Sequence, residues 1–268
     1  MITSLFRRKK APVGRSARVP DGTVVWAIGD VHGRADLLLP LLKEAVSDLR
    51  TTAPEHPVIV MLGDYVDRGA DSKGVLDLLC ALSDQRDIET HFMRGNHEER
   101  FEAFLSDPAL GPSWCEYGGR EALLSYGVVV PALKTEAEGW VQTSAALNAA
   151  LPDAHRRFLA AQLSSTKIGD YFFAHAGARP GIALDDQSPD DLMWIRRDFL
   201  MSKAPFEKVI VHGHTPEQEV HADDRRIGLD TGAYATGVLT GLRLEGVQRH
   251  ICQTRIAGKV VELSRRAL

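Results

Sequence analysis

Three stretches, Gly29-Asp30-Val31-His32-Gly33, Gly63-Asp64-Tyr65-Val66-Asp67-Arg68-Gly69 and Arg94-Gly95-Asn96-His97-Glu98, each follow a short apolar run that reads as a β-strand. Two more loops, Ala174-His175-Ala176-Gly177 and His212-Gly213-His214-Thr215, do the same. Strand ends on one side of an α/β sheet are where such sheets gather their ligands. Carboxylate and amide oxygens mixed with imidazole, and no cysteine nearby, describe a divalent-metal site; the second carboxylate loop makes it dinuclear. The chemistry such a pair supplies is phosphoester hydrolysis. One such loop alone would read as a turn or a helix cap. Five in one chain would crowd unpaired carboxylates and imidazoles at one sheet end, at a desolvation cost that two cations remove.

The elements that must position these loops are legible in the periodicity. Val24–Ile28, Pro57–Leu62 and Ile88–Met93 read as strands, and Ala35–Leu49, Ser72–Leu82 and Glu98–Leu105 as the helices that follow them. Asp71 or Ser72 is placed to cap the second helix. This alternation predicts βαβ units and a mainly parallel sheet. From Asp107 to about Thr166 the alternation stops and the pattern turns mostly helical, which reads as an insertion beside the site (107–166). Strands resume at Tyr171–Phe173 and Val209–Val211. The last third, Arg226–Leu229, Gly237–Leu244, Val247–Gln253 and Val260–Leu263, reads as short antiparallel strands. The expected organisation is a flexible basic arm over 1–22 and a single domain over 23–268.

Bulk properties narrow the partners. With 268 residues, 44% of them hydrophobic and 25% charged, the chain can build one large core. A net charge of −4, from 32 basic against 36 acidic residues, gives no reason to expect nucleic acid. No apolar run reaches the length of a membrane span, and the basic residues before Pro20 lack the apolar stretch of a secretory signal. Cys80, Cys115 and Cys252 show no paired spacing, which fits reduced thiols and a cytoplasmic protein.

Taken in order, the five loops resemble those of the phosphoprotein phosphatase family within the calcineurin-like metallophosphoesterases. The resemblance runs from about residue 24 to 245. Trp114–Gly119, Ser125-Tyr126-Gly127, Leu151-Pro152 and Met193-Trp194-Ile195-Arg196 are similar to the bacterial and bacteriophage branch of serine/threonine protein phosphatases. The resemblance implies an α/β fold of two mixed sheets packed face to face and flanked by helices. It implies one metal on Asp30, His32 and a bridging Asp64, and a second on Asp64, Asn96, His175 and His214. His212 falls outside the family pattern. Mixed oxygen and nitrogen ligation suits Mn²⁺, Fe or Zn²⁺ better than Ca²⁺ without choosing among the three, and Mn²⁺ is the expected pair, with Fe or Zn²⁺ as competitors. A hydroxide held by the two metals would attack phosphorus directly, His97 would protonate the leaving oxygen, and Asp67 would orient His97 and raise its pKa. Arg68 and Arg196 resemble the family's phosphate-binding arginines, although Arg197 is adjacent to the second and spacing alone does not separate them.

The expected substrate is a phosphorylated serine/threonine protein or peptide, with phosphotyrosine and small phosphoesters also in reach. The rival enzyme reading is a dinucleoside polyphosphate hydrolase of the symmetrical diadenosine tetraphosphate type. A third reading, a binding module that keeps the fold without catalysis, conflicts with the complete set of ligands and acid–base residues. Tyr234 is placed either at the site or packed at a strand end. Glu98 is expected to stabilise its helix N-terminus, and Arg94 to form a structural ion pair. Trp114, Tyr117, Trp140 and Trp194 read as packing residues rather than a platform for bases. The insertion is expected to govern substrate choice and to leave the metals alone.

Overall fold

The computed structural model describes residues 16–132 and 136–268. Most of the basic arm therefore lies outside the described residues. Its last part is not an arm: Val19 is fully buried and its N–H donates to Gly246 O, while Arg18 O accepts from Asp170 N.

Eleven strands are present among the described residues: β1 Thr23–Ile28, β2 His56–Met61, β3 Glu89–Phe92, β4 Ser165–Ile168, β5 Tyr171–Ala174, β6 Val209–His212, β7 His221–Ala222, β8 Arg226–Gly228, β9 Val238–Glu245, β10 Gln248–Ala257 and β11 Val260–Ala267. They form a six-stranded sheet, β11-β10-β9-β1-β2-β3, and a five-stranded sheet, β4-β5-β6-β8-β7. Both sheets are mixed. β1, β2 and β3 run parallel and β9 antiparallel to β1; β5, β6 and β8 run parallel, with β4 and β7 antiparallel at the edges. The antiparallel expectation for the chain's last third holds for β9–β11, while β8 is antiparallel to β7 but parallel to β6 on its other side.

Side chains alternate across a strand, and that rule builds the sandwich. Val25 and Ala27 of β1, Val58 and Val60 of β2, and Tyr171 and Phe173 of β5 fill the space between the sheets. Val24, Trp26 and Ile28 face the other way, onto helices α1 (Ala35–Thr52) and α2 (Ser72–Ser83). On the far side of the second sheet, Phe172, Ala174 and Ile210 pack against Leu192 and Phe199. Asp71 is the α2 cap, accepting from Gly74 N at 2.8 Å.

Helix α3 (Asn96–Ser106) leads into α4 (Gly111–Trp114), α5 (Arg120–Ser125), α6 (Ala137–Ala150) and α7 (Asp153–Ala160), with no strand among the described residues between β3 and β4. Three short helices follow: α8 (Pro189–Trp194), α9 (Arg197–Leu200) and α10 (Ala233–Thr236). No helix of the described residues is long and apolar enough to cross a membrane.

One ionic knot ties α1 to the sheet. Asp48 accepts from Trp26 Nε1 at 2.9 Å and Arg243 Nε at 2.6 Å, with Arg265 at 3.4 Å. Burial works against its anion, but the donors from Arg243 and Trp26 outweigh it and hold the carboxyl below the usual range. The stability this confers is present above the usual carboxylate range and is lost as pH falls through the lowered folded-state value. Asp48→Ala should leave the buried Arg243 guanidinium without that partner and cost about 3–5 kcal/mol. The check is a urea titration in which the midpoint falls while the slope is kept.

Candidate active site

The five loops leave their strands at one end of the sandwich and bring the expected residues together. Asp30, His32, Asp64, Asp67, Asn96, His97, His175 and His214 are all buried. Ligand atoms of Asp64, His175 and His214 lie within 4.8 Å of one another, and so do those of His32, Asp64 and His97. Asp64 is common to both groups. His175 Nε2 stands 3.3 Å from Asp64 Oδ1, and His32 Nε2 stands 3.4 Å from Asp64 Oδ2. Asn96 Oδ1 and His214 Nδ1 approach His175 Nε2 at 3.0 and 3.1 Å. Asp30 lies across the cluster, its Oδ2 accepting the His214 N–H at 2.8 Å. His212 is outside both groups, its Nε2 facing Arg226 at 3.2 Å.

The backbone is bent to achieve this. Of the six non-glycine residues with positive φ among the described residues, five are His32, Asp64, Asp67, Arg68 and His214. Non-glycine residues rarely occupy that region, and such strain concentrates at functional sites. Two glycines let the loops close: a Cβ on Gly213 would overlap Asp30 Oδ1, and one on Gly95 would overlap Asp64 Oδ1.

The protonation pattern suits a metal centre. His32 donates Nδ1–H to Val66 O and His175 donates Nδ1–H to Leu62 O, so each turns an Nε2 lone pair into the cluster. Burial lowers His32 to about 3 and His214 to about 2, and it lowers His175 as well. Three imidazoles are thereby kept neutral, as ligation requires. Burial opposes the Asp64 anion, yet its carboxyl stays below the usual range, and His97, the imidazole held toward its cation, is the charged neighbour that favours it. Asp30 is pushed up by burial and by the charges of Asp230 and Asp64, and its Oδ1 is buried without a hydrogen-bond partner. A buried, unpartnered carboxylate oxygen beside an anionic carboxylate and neutral imidazoles is a donor set that fits divalent cations.

His97 is the exception among the imidazoles. Burial opposes its charge, but Asp64 and the hydrogen bond to Asp67 outweigh that and raise its pKa. Its Nδ1 donates to Asp67 Oδ2 at 2.7 Å, while Nε2 faces the cluster, 4.0 Å from Asp64 Oδ2. The arginines flank the group. Arg68 Nη1 donates to His32 Nε2 at 3.0 Å, and Arg196 Nε donates to His214 Nε2 at 2.9 Å. Arg197 begins α9 instead. Tyr234 reaches the site, its ring 5.3 Å from that of His32 and 4.8 Å from the Arg68 guanidinium carbon. Arg94 pairs with Glu102 at 2.6 Å.

Several functional contacts carry no signal in sequence spacing. Glu98 does more than start α3: its carboxylate accepts the N–H groups of Asp64, Tyr65, Val66 and Gly95 at 2.8–3.2 Å and so fixes the second loop. Burial pushes it up to about 8, even against those donors. Asp230, raised to about 6 by burial, adds a further carboxylate near Asp30 and Asp64. Trp114 and Gly118 tie the 107–166 segment to the site at two residues that are not among the expected metal ligands. Trp114 is buried and donates Nε1–H to Asp67 Oδ2 at 2.9 Å, and Gly118 O accepts the Arg68 N–H. Trp114→Phe should remove the donor and leave a small cavity where the rest of the indole sat, costing about 1–3 kcal/mol of stability and lowering turnover. A variant with unchanged melting and turnover would free the segment from this supporting role. Trp140 is buried as expected, but Tyr117 and Trp194 are exposed.

A sandwich of two mixed sheets with buried aspartates and histidines at its loop end defines a metallophosphoesterase. The calcineurin-like phosphoesterase profile matches residues 23–240, and the chain belongs to that family. It is 26% identical over 245 residues to the asymmetrical bis(5'-nucleosyl)-tetraphosphatase PrpE of Geobacillus thermodenitrificans, covering 81% of this chain and 88% of that one. It is 39% identical over 75 residues to serine/threonine-protein phosphatase 1 of Salmonella typhimurium, covering 28% of this chain and 30% of that one. Among solved structures, one provisionally assigned to a diadenosine tetraphosphatase superposes with a TM-score of 0.56 at 19% identity, over 94% of this chain and 98% of that one.

Proposed function

We propose that this chain is a dinuclear metal-dependent hydrolase of dinucleoside tetraphosphates. The observation that carries the substrate class is the length of the similarity. It spans 88% of the Geobacillus tetraphosphatase but only 30% of the Salmonella phosphatase. The protein-phosphatase expectation therefore becomes the second reading, kept by the 39% identity of its short stretch. Residues 107–166 are read as an insertion within one domain that starts near Arg18.

Asp30, His32 and Asp64 would hold one cation, and Asp64, Asn96, His175 and His214 the second. Mn²⁺ suits this oxygen and imidazole set, with Fe and Zn²⁺ as competitors. Such a pair, once bound, lowers the pKa of coordinated water and draws charge from phosphoryl oxygens. The chain's own groups do the rest. Arg68 and Arg196 grip phosphoryl oxygens with planar forks. His97 is the one imidazole of the cluster held toward its cation, which fits it to give a proton to the leaving oxygen, with Asp67 and Trp114 fixing its direction.

The test is a product analysis of diadenosine tetraphosphate turned over by the Mn²⁺-loaded enzyme, beside phosphoserine and phosphotyrosine peptides. The relatives' asymmetrical cut predicts ATP and AMP; two ADP would mean a symmetrical cut within the same substrate class. Phosphopeptide turnover with an inert dinucleotide would overturn the reading in favour of the second.

A further inference from the structure

Beside the candidate metal site lies a cleft of about 300 Å³ of whose walls the proposed chemistry uses only Arg196. Trp194, Ile195, Arg196, Arg197, Asp190 and Asp198 are among its walls. Arg196 joins it to the cluster through the hydrogen bond from its Nε to His214. Trp194 is unusual among the chain's four tryptophans. The other three are no more than 2% exposed, whereas Trp194 is 37% exposed. Its ring is nevertheless held in place: Nε1 donates to Glu99 Oε2 at 3.0 Å, and the Arg100 guanidinium carbon lies 5.1 Å from the ring centre. An open, immobilised indole is a ready stacking surface that loses little side-chain freedom on binding.

The charges of the cleft are unequally satisfied. Arg179 grips Asp191 with two hydrogen bonds of 2.8 and 2.5 Å and reaches Asp198 at 3.2 Å. Arg196 and Arg197 make no ion pair among the described residues, and both are exposed. Two unpaired guanidinium groups next to an exposed indole ask for a ligand that combines an anion with a flat ring. Phosphate alone would leave the indole bare, and an apolar ring alone would leave the arginines unpaired.

We propose that this cleft is a nucleoside subsite, where Trp194 stacks the base of the substrate and Arg196 and Arg197 hold the phosphates leading from it to the cluster. It rests on the dinucleoside tetraphosphate reading and adds a place for one of the two bases. Stacking is tolerant of base identity, since every base has a π-face, so adenine and guanine dinucleotides should both be accepted.

All four tryptophans emit, so the Trp194 signal is read as the difference between the wild-type and Trp194→Leu proteins. The enzyme is titrated in chelator, where turnover stops, with AMP, GMP and ribose 5-phosphate. AMP and GMP should quench saturably, ribose 5-phosphate should not, and Trp194→Leu should lose the response. On the metal-loaded enzyme, Trp194→Leu should reduce kcat/KM for diadenosine tetraphosphate about tenfold more than for phosphoserine, mainly through KM, and Trp194→Phe should restore most of it. No quench by AMP, or an equal loss on both substrates, overturns the subsite. A wild-type enzyme that is quenched by AMP yet leaves the dinucleotide intact would instead sink the substrate reading while keeping a nucleotide site.

Discussion

Asp64→Asn should abolish turnover and strip the protein of stoichiometric metal. Asp64 is the one residue whose carboxylate faces His32 on one oxygen and His175 on the other, at 3.4 and 3.3 Å. Its carboxyl is also held anionic against its burial, so the substitution removes both the proposed shared ligand and the charge that makes the pocket attractive to cations. Residues that only support metal ligands typically cost 10–100-fold when lost; a shared ligand should cost more than about 100-fold. Asp30→Asn should affect mainly the site it is assigned to. The measurements are metal content by mass spectrometry and turnover of diadenosine tetraphosphate, with circular dichroism to show that the variant is folded. A folded Asp64→Asn protein with two tightly bound metals and near-normal turnover would overturn the bridging assignment.

The five loops were legible because each places its chemistry immediately after a buried strand, where one local window holds both the apolar run and the polar residues. Asp30, His32, Asp64, Asn96, His175 and His214 meet for that reason. What was not legible depends on partners far apart in the chain. Nothing local to Trp114 shows that its indole N–H ends on Asp67, 47 residues away. Nothing local to Glu98 shows that it holds the loop that starts at Asp64, 34 residues earlier. The parallel partner of β8 was hidden in the same way. Arg226–Gly228 has three residues and no helix before it, so its sequence carries no sign of the crossover that lays it parallel to β6. Trp114 and Trp194 also look alike in sequence, since a tryptophan's burial is decided by what the fold brings over it. One became a supporting donor at the site and the other an open ring at its rim.

His97→Asn should lose activity in proportion to how badly the leaving oxygen needs a proton. Asp67 binds Nδ1 and leaves Nε2 turned to the cluster, and the raised pKa keeps the ring protonated toward neutral pH. An alkoxide leaving from phosphoserine is strongly basic, whereas p-nitrophenolate is stable without a proton. General acid catalysis is typically worth about 10²–10⁴-fold, so the variant should lose about that much on phosphoserine and clearly less on p-nitrophenyl phosphate. The phosphate chain released from a dinucleoside tetraphosphate is, like p-nitrophenolate, stable without a proton near neutral pH, so the variant's loss on that substrate should be similarly small. The pH profile carries the same sign. His97 must be protonated to act, so wild-type turnover of the alkyl ester should fall as pH rises through the raised value, and that limb should vanish in the variant. Metal content decides the remaining ambiguity, because an aspartate-bound imidazole can also serve as a ligand. Three neighbouring histidines are held neutral and His97 alone is held toward its cation, so two metals should remain bound in His97→Asn. Loss of one metal would move His97 into the ligand set. A defect equal for every leaving group, with both metals present, would make it a positioning residue and end its role as the acid.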